Sequence, residues 1–159
     1  MSFADVLFKP NGRIEAGQFW AGWAVLVVTN IILNFIPILN ILGYFVLIYV
    51  GVCVYGKRLH DMGRTAWIVA IPWGLGFILG IIGFFQAAPA IMEVYESDPQ
   101  SLEDPMLAFE VMRPFFINVG LGMLVWLGLT IWVGTGKSDP NENQYGPGPG
   151  GSVSADPFT

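Results

Sequence analysis

The chain has 159 residues, of which 54% are hydrophobic and only 12% charged, about half the charged share of an ordinary soluble domain. One domain of this length cannot hide that much apolar surface from water by folding on itself, so the composition argues against a soluble globule and for a bilayer as solvent. The net charge of −5 comes with no extended basic surface, which argues against nucleic acid as a partner.

The charges are segregated. Phe19 to Gly56 carries none, and neither does Ala66 to Met92. Between these runs sits Lys57-Arg58-Leu59-His60-Asp61-Met62-Gly63-Arg64-Thr65-Ala66-Trp67, which holds the single histidine and three of the seven basic residues. The pattern predicts an all-α membrane protein with four transmembrane helices. The first segment, Phe3 to Phe8, is a short apolar patch containing Asp5, suited to lie in the membrane interface. Lys9 and Arg13 precede the first apolar run, which is too long for a cleaved signal and reads as an uncleaved span.

The run from Phe19 holds two spans, because a helix needs about 20 apolar residues to cross the hydrocarbon core and Pro37 interrupts any single helix. Pro37 and Asn40, with Gly43 close behind, mark the turn. Spans are expected at about 18–36 and 39–58. The third is expected at 65–87, kinked by Pro72 and lined by Gly74, Gly76, Gly80 and Gly83. The fourth is expected at 115–133. Residues 1–137 make the membrane domain, and the Gly/Pro-rich tail 138–159 is expected to be flexible. Cys53 lies in an apolar run and reads as a small core residue.

With four spans, Lys9, Arg13, Lys57, Arg58, Arg64 and Lys137 share one side and only Arg113 lies opposite. The positive-inside rule then places both termini in the cytoplasm. The outer loop, 88–113, is acidic, with Glu93, Glu96, Asp98, Glu103, Asp104 and Glu110. Ser101 and Asp104 resemble a capping box, and Leu102, Met106 and Phe109 recur at helical spacing, so a short amphipathic helix is expected there. These acids could dock a cation or a partner; a solvated loop accounts for them without either.

The basic connector is the candidate site. Span two should stay helical to about His60 and stop at Gly63, and Thr65 is a natural cap for the next helix. Lys57 and Arg58 each lie within one helical turn of Asp61, so either can pair with it. Trp67 belongs at interface depth. Anionic headgroups or phosphate could bind where Lys57, Arg58 and Arg64 converge beside a helix start. The same bases could equally serve only to set topology and staple a hairpin, although topology needs neither His60 nor Asp61. His60 and Asp61 are adjacent and cannot face each other as a catalytic dyad. With no second histidine, nucleophile motif or metal-ligand cluster, no enzyme, cofactor or metal is expected. Gly134-Thr135-Gly136-Lys137-Ser138 imitates the end of a phosphate loop, but Ile131 stands where its first glycine should be.

Phe8, Gly12-Arg13-Ile14 and Phe19-Trp20 head the chain. Arg58-Leu59-His60-Asp61, Gly63-Arg64 and Trp67 occupy its middle, and Asn143, Tyr145-Gly146 and Pro149 close it. This pattern resembles the bacterial inner-membrane family of domain of unknown function 805, the YhaH-like proteins. One departure is Ala16, where members often carry a second basic residue. The resemblance implies a multi-pass protein of the bacterial cytoplasmic membrane and implies no activity. The expectation is a non-enzymatic component that binds anionic lipid headgroups, a membrane-protein partner or a second copy of itself. The residues are Arg13, Lys57, Arg58, His60, Asp61, Arg64 and Trp67. The alternative is a small transporter or channel component, for which Thr29, Asn30, Asn34, Asn118 and Thr130 supply polar positions in spans.

Overall fold

The computed structural model describes residues 2–148. Among these, five α-helices follow one another: α1 Phe3–Phe8, α2 Ala16–Asn34, α3 Pro37–Asp61, α4 Ala70–Ser97 and α5 Pro105–Thr135. All but α1 are long and apolar enough to cross a membrane, which is the pattern of a multi-pass membrane protein. Pro149, the last residue of the family-like pattern, lies outside the described residues.

Two compact units divide the chain, one made of residues up to Val69 together with Ile131 onward, the other of Ala70–Thr130. In the first unit, α1 starts with a reciprocal capping box between Ser2 and Asp5, and Lys9 pairs with Asp5 at 2.6 Å. Glu15 and Gln18 cap the start of α2 in the same reciprocal way. Only Phe35 and Ile36 separate α2 from α3, whose first turn holds Pro37. A proline there costs no helical hydrogen bond, so the residue that breaks one helix starts the next.

Gly22 lets α2 approach α3, since a Cβ at that position would sit 3.1 Å from Val54 Cγ2. Beside this contact Phe19 meets Tyr55 edge-on, with centroids 5.1 Å apart. α3 ends in a Schellman turn: Gly63 takes the left-handed φ of 68°, Gly63 N–H donates to His60 C=O and Arg64 N–H to Leu59 C=O. Only glycine adopts this conformation without strain. A short 3-10 turn, Ala66–Val69, then leads into α4, and the Thr65 hydroxyl accepts from Trp67 N–H at 3.4 Å.

In the second unit α4 and α5 pack through small residues. A Cβ on Gly83 would lie 2.8 Å from the Phe115 Cα, Asn118 donates to Gln86 at 3.0 Å, and Trp73 meets Trp126 edge-on at 5.6 Å.

The expected spans are present with different ends. α3 runs three residues past the expected 58, α4 runs to Ser97 and α5 begins at Pro105. The segment expected as a long loop, 88–113, is therefore mostly helix, and the connection narrows to residues 98–104. At about 1.5 Å per residue the 28-residue α4 and 31-residue α5 span about 42 and 46 Å, well beyond a hydrocarbon core of about 30 Å. Glutamates do not end a helix that has left the apolar layer. The connection is built from caps, with Asp98 Oδ1 accepting from Gln100 N–H and Asp104 Oδ1 from Met106 N–H. Asp98 and Asp104 thus do the capping expected of Ser101. Pro72 falls in the first turn of α4, where its missing N–H is harmless and no kink is required; the prolines in helix interiors are Pro89 and Pro114.

Candidate functional site

At the end of α3 the motif's charged residues turn inward. Lys57, Arg58 and Asp61 are all buried. Lys57 does not pair with Asp61; its ammonium donates to the backbone oxygens of Asp5 and Val6, the latter at 2.7 Å. α1 is thereby fixed to α3 through carbonyls of its last turns, where a helix has oxygens to spare. Tyr49 Oη adds a third tie by donating to Phe8 C=O at 2.8 Å.

Arg58 does pair with Asp61, one helical turn away. Its Nε donates to Val133 C=O at 3.1 Å, Nη1 also reaches the Ser138 hydroxyl at 3.0 Å, and Nη2 donates to Gly136 C=O. Ser138 in turn donates to Asp61 Oδ2 at 2.5 Å. A second guanidinium arrives from the distant N-terminal segment. Arg13 Nε reaches Asp61 Oδ1 at 3.3 Å, with side chains only 5% and 2% exposed. Arg13 Nη1 donates to the carbonyls of Asn141 at 2.8 Å and Gly146 at 3.2 Å, while Nη2 takes those of Asp61 and Asp139. Asp61 thus serves two arginines.

Residues 136–146 form a strap over this cluster. Asp139 N–H donates to Asp61 C=O at 2.7 Å, and Asn143 Nδ2 to His60 C=O at 3.1 Å. The Tyr145 ring stacks on His60 with centroids 3.7 Å apart and planes 6° from parallel. His60 Nδ1 lies 3.3 Å from Gly12 C=O. The Asp139 carboxyl is held below the usual carboxylate range, first by Asn141 N–H and then by Asn143 and the Arg13 charge. The first residues of the tail thus supply oxygens as the acceptors that buried guanidiniums require. Among the described residues no buried side-chain nitrogen or oxygen lacks a partner.

Arg64 and Trp67 stand apart from the cluster. Arg64 is exposed, with its guanidinium carbon 5.8 Å from the Trp132 ring centroid, and Trp67 is 81% exposed. Lys137 is exposed too. Of the expected site residues, the structure joins Arg13, Arg58, His60 and Asp61 around one strap, gives Lys57 to α1 and leaves Arg64 and Trp67 on the rim. Ser138 and Asp139 were not anticipated from sequence; the signal was Asn143 with Tyr145-Gly146, four to eight positions away in the closing pattern.

The polar residues inside the spans are engaged close to home. Asn34 donates to Asn30 within α2, Thr130 to Trp126 C=O within α5, and Asn118 to Gln86 and to Pro114 C=O. Among the described residues no group of three or more His, Cys, Asp or Glu side chains is placed to hold a metal ion.

The family of proteins of unknown function DUF805 matches residues 7–147. The chain belongs to that family. The match begins within α1 and runs through the strap to Pro147, so in DUF805 terms the polar cluster falls entirely inside the shared domain. No curated protein and no solved structure matches this DUF805 chain.

Proposed function

We propose that this protein is a non-enzymatic component of a bacterial cytoplasmic membrane that engages anionic lipid headgroups along the rim of its polar cap. Arg64 and Lys137 are the binding residues, and Trp67 and Trp132 set the depth. The carrying observation is the division of labour among the bases. Arg13, Lys57 and Arg58 direct their donors to protein oxygens, whereas Arg64 rests on an aromatic face with its charge open to solvent. An arginine on a partly exposed tryptophan, with the exposed Trp67 three residues further along the chain, suits a headgroup layer, where rings sit at the interface and cations meet phosphates.

Arg13 contacts both the end of α3 and the strap after α5. This supports placing the N-terminal segment, the connector and the C-terminal segment on one membrane face, and the excess of Lys and Arg there favours the cytoplasmic one. A basic residue near an acidic surface contributes about 1 kcal/mol, so removing two should weaken binding by roughly 30-fold. The test is native mass spectrometry of protein extracted from phosphatidylglycerol-containing membranes. Arg64→Gln with Lys137→Gln should lose the retained anionic lipid, and equal retention in variant and parent refutes the reading.

A further inference from the structure

We infer that the strap, residues 136–146, closes a second anion site, formed by Arg13 and Arg58, that accepts a singly charged phosphate group when the strap lifts. The inference does not depend on the Arg64 rim. It starts from the donor inventory. Asp61 occupies Nε of Arg13 and part of Nη1 of Arg58. The remaining terminal nitrogens point chiefly at the strap, which supplies the carbonyls of Gly136, Asp139, Asn141 and Gly146 and the hydroxyl of Ser138. Such an array of oxygens around two planar forks is what a phosphate offers to arginine.

Charge points the same way. Two guanidiniums share one contacting carboxylate, leaving one positive charge in surplus. The strap balances it with one carboxylate, Asp139, which lies near Arg13. A phosphodiester or dihydrogen phosphate carries the same single negative charge. Exchanging strap for phosphate therefore conserves both the charge and the kind of acceptor, and Asp61 keeps its own partners.

The strap is also built to leave. None of its side chains from Lys137 to Tyr145 is buried. One isolated bridge, between Asn143 and Gly146, is its regular pairing. It is fastened by polar contacts and by the Tyr145–His60 stack, without the apolar burial that anchors α1 through Val6 or α2 through Phe19.

The test is amide hydrogen exchange of residues 139–146 in the parent protein. One arm uses phosphatidylglycerol nanodiscs, the other uses phosphatidylcholine nanodiscs with and without inorganic phosphate. Faster exchange in the first arm identifies a lipid headgroup as the phosphate source. Faster exchange on adding phosphate in the second identifies free phosphate. Unchanged exchange in both overturns the inference. A second measurement uses Asn143→Ala with Tyr145→Ala, which loosens the strap without touching either arginine's contacts. Phosphate or headgroup binding should tighten on the order of tenfold, equivalent to about 1.4 kcal/mol, because more of the protein is binding-competent. Adding Arg13→Gln should abolish that gain. A gain that survives Arg13→Gln places the anion elsewhere and refutes the site.

Discussion

Replacing Asp61 by Asn keeps the shape of the side chain and removes the one carboxylate that, among the described residues, touches both buried guanidiniums. The Asp61 side chain is 2% exposed and its partners are 5% and 1% exposed, so water cannot take over its role. Breaking a buried pair by removing one partner costs about 3–5 kcal/mol. Two charge-assisted hydrogen bonds at about 1.5–3 kcal/mol each give the same total. α2, α3 and α5 keep their apolar surroundings, so the loss falls on the strap and on the segment around Arg13 rather than on the helices. Since about 1.4 kcal/mol corresponds to a factor of ten, amide exchange in residues 139–146 should accelerate by roughly two to three orders of magnitude in detergent or nanodiscs. Exchange within α4 and in the middle of α2 should stay near the parent value. Acceleration of less than about fivefold would refute the claim that Asp61 holds the cluster together, as would equal acceleration in every helix. Arg13→Gln combined with Asp61→Asn should cost less than the sum of the two, by about 1–3 kcal/mol, because the surplus guanidinium is then gone.

Two further outcomes are expected. Gly83→Leu places a side chain where even a Cβ would lie 2.8 Å from the Phe115 Cα, so α4 and α5 must separate; a stability loss of at least about 1–3 kcal/mol, read as a lower thermal midpoint in detergent, checks this, whereas Gly74→Leu, where nothing lies within 4 Å of a Cβ, should be close to neutral. The depressed pKa of Asp139 means its contribution to the strap is fully present above the usual carboxylate pKa of about 3.9 and is lost as pH falls below it through the folded value. After correction for intrinsic exchange chemistry, protection of residues 139–146 should therefore be level from neutral to mildly acidic pH and decline below about pH 4, and Asp139→Asn should flatten that decline.

The four spans were legible because long runs without charge admit little else, and the Schellman turn at Gly63 was legible because glycine after a helical run is a local signal. The ends of α4 and α5 were not, because Glu93, Glu96 and Glu110 mark where a helix leaves the apolar layer, not where it stops. Arg58 with Asp61 could be read from helical spacing. Arg13 with Asp61 could not, since nothing local links residues 48 positions apart. The strap was hidden for a different reason. Gly, Pro, Asn and Asp make a segment that cannot build a core of its own, and composition alone reads that as looseness. Here the segment contributes backbone carbonyls, which every sequence possesses and no sequence motif displays. Lys57 shows the same blindness, as its partners are the carbonyls of Asp5 and Val6.

The contacts of Arg13 with Asp139, Asn141 and Gly146 span 126, 128 and 133 positions, and this has a consequence for biosynthesis. A ribosome delivers both arginines and Asp61 early and the oxygens that complete their shell last, after α5. Until then the hairpin of α2 and α3, with the segment that precedes it, carries two guanidiniums with one carboxylate between them. A molecule stalled before Gly136 lacks that shell, and the two guanidiniums keep one surplus positive charge. Residues 136–147, the last dozen of the shared domain, bring the oxygens that complete it.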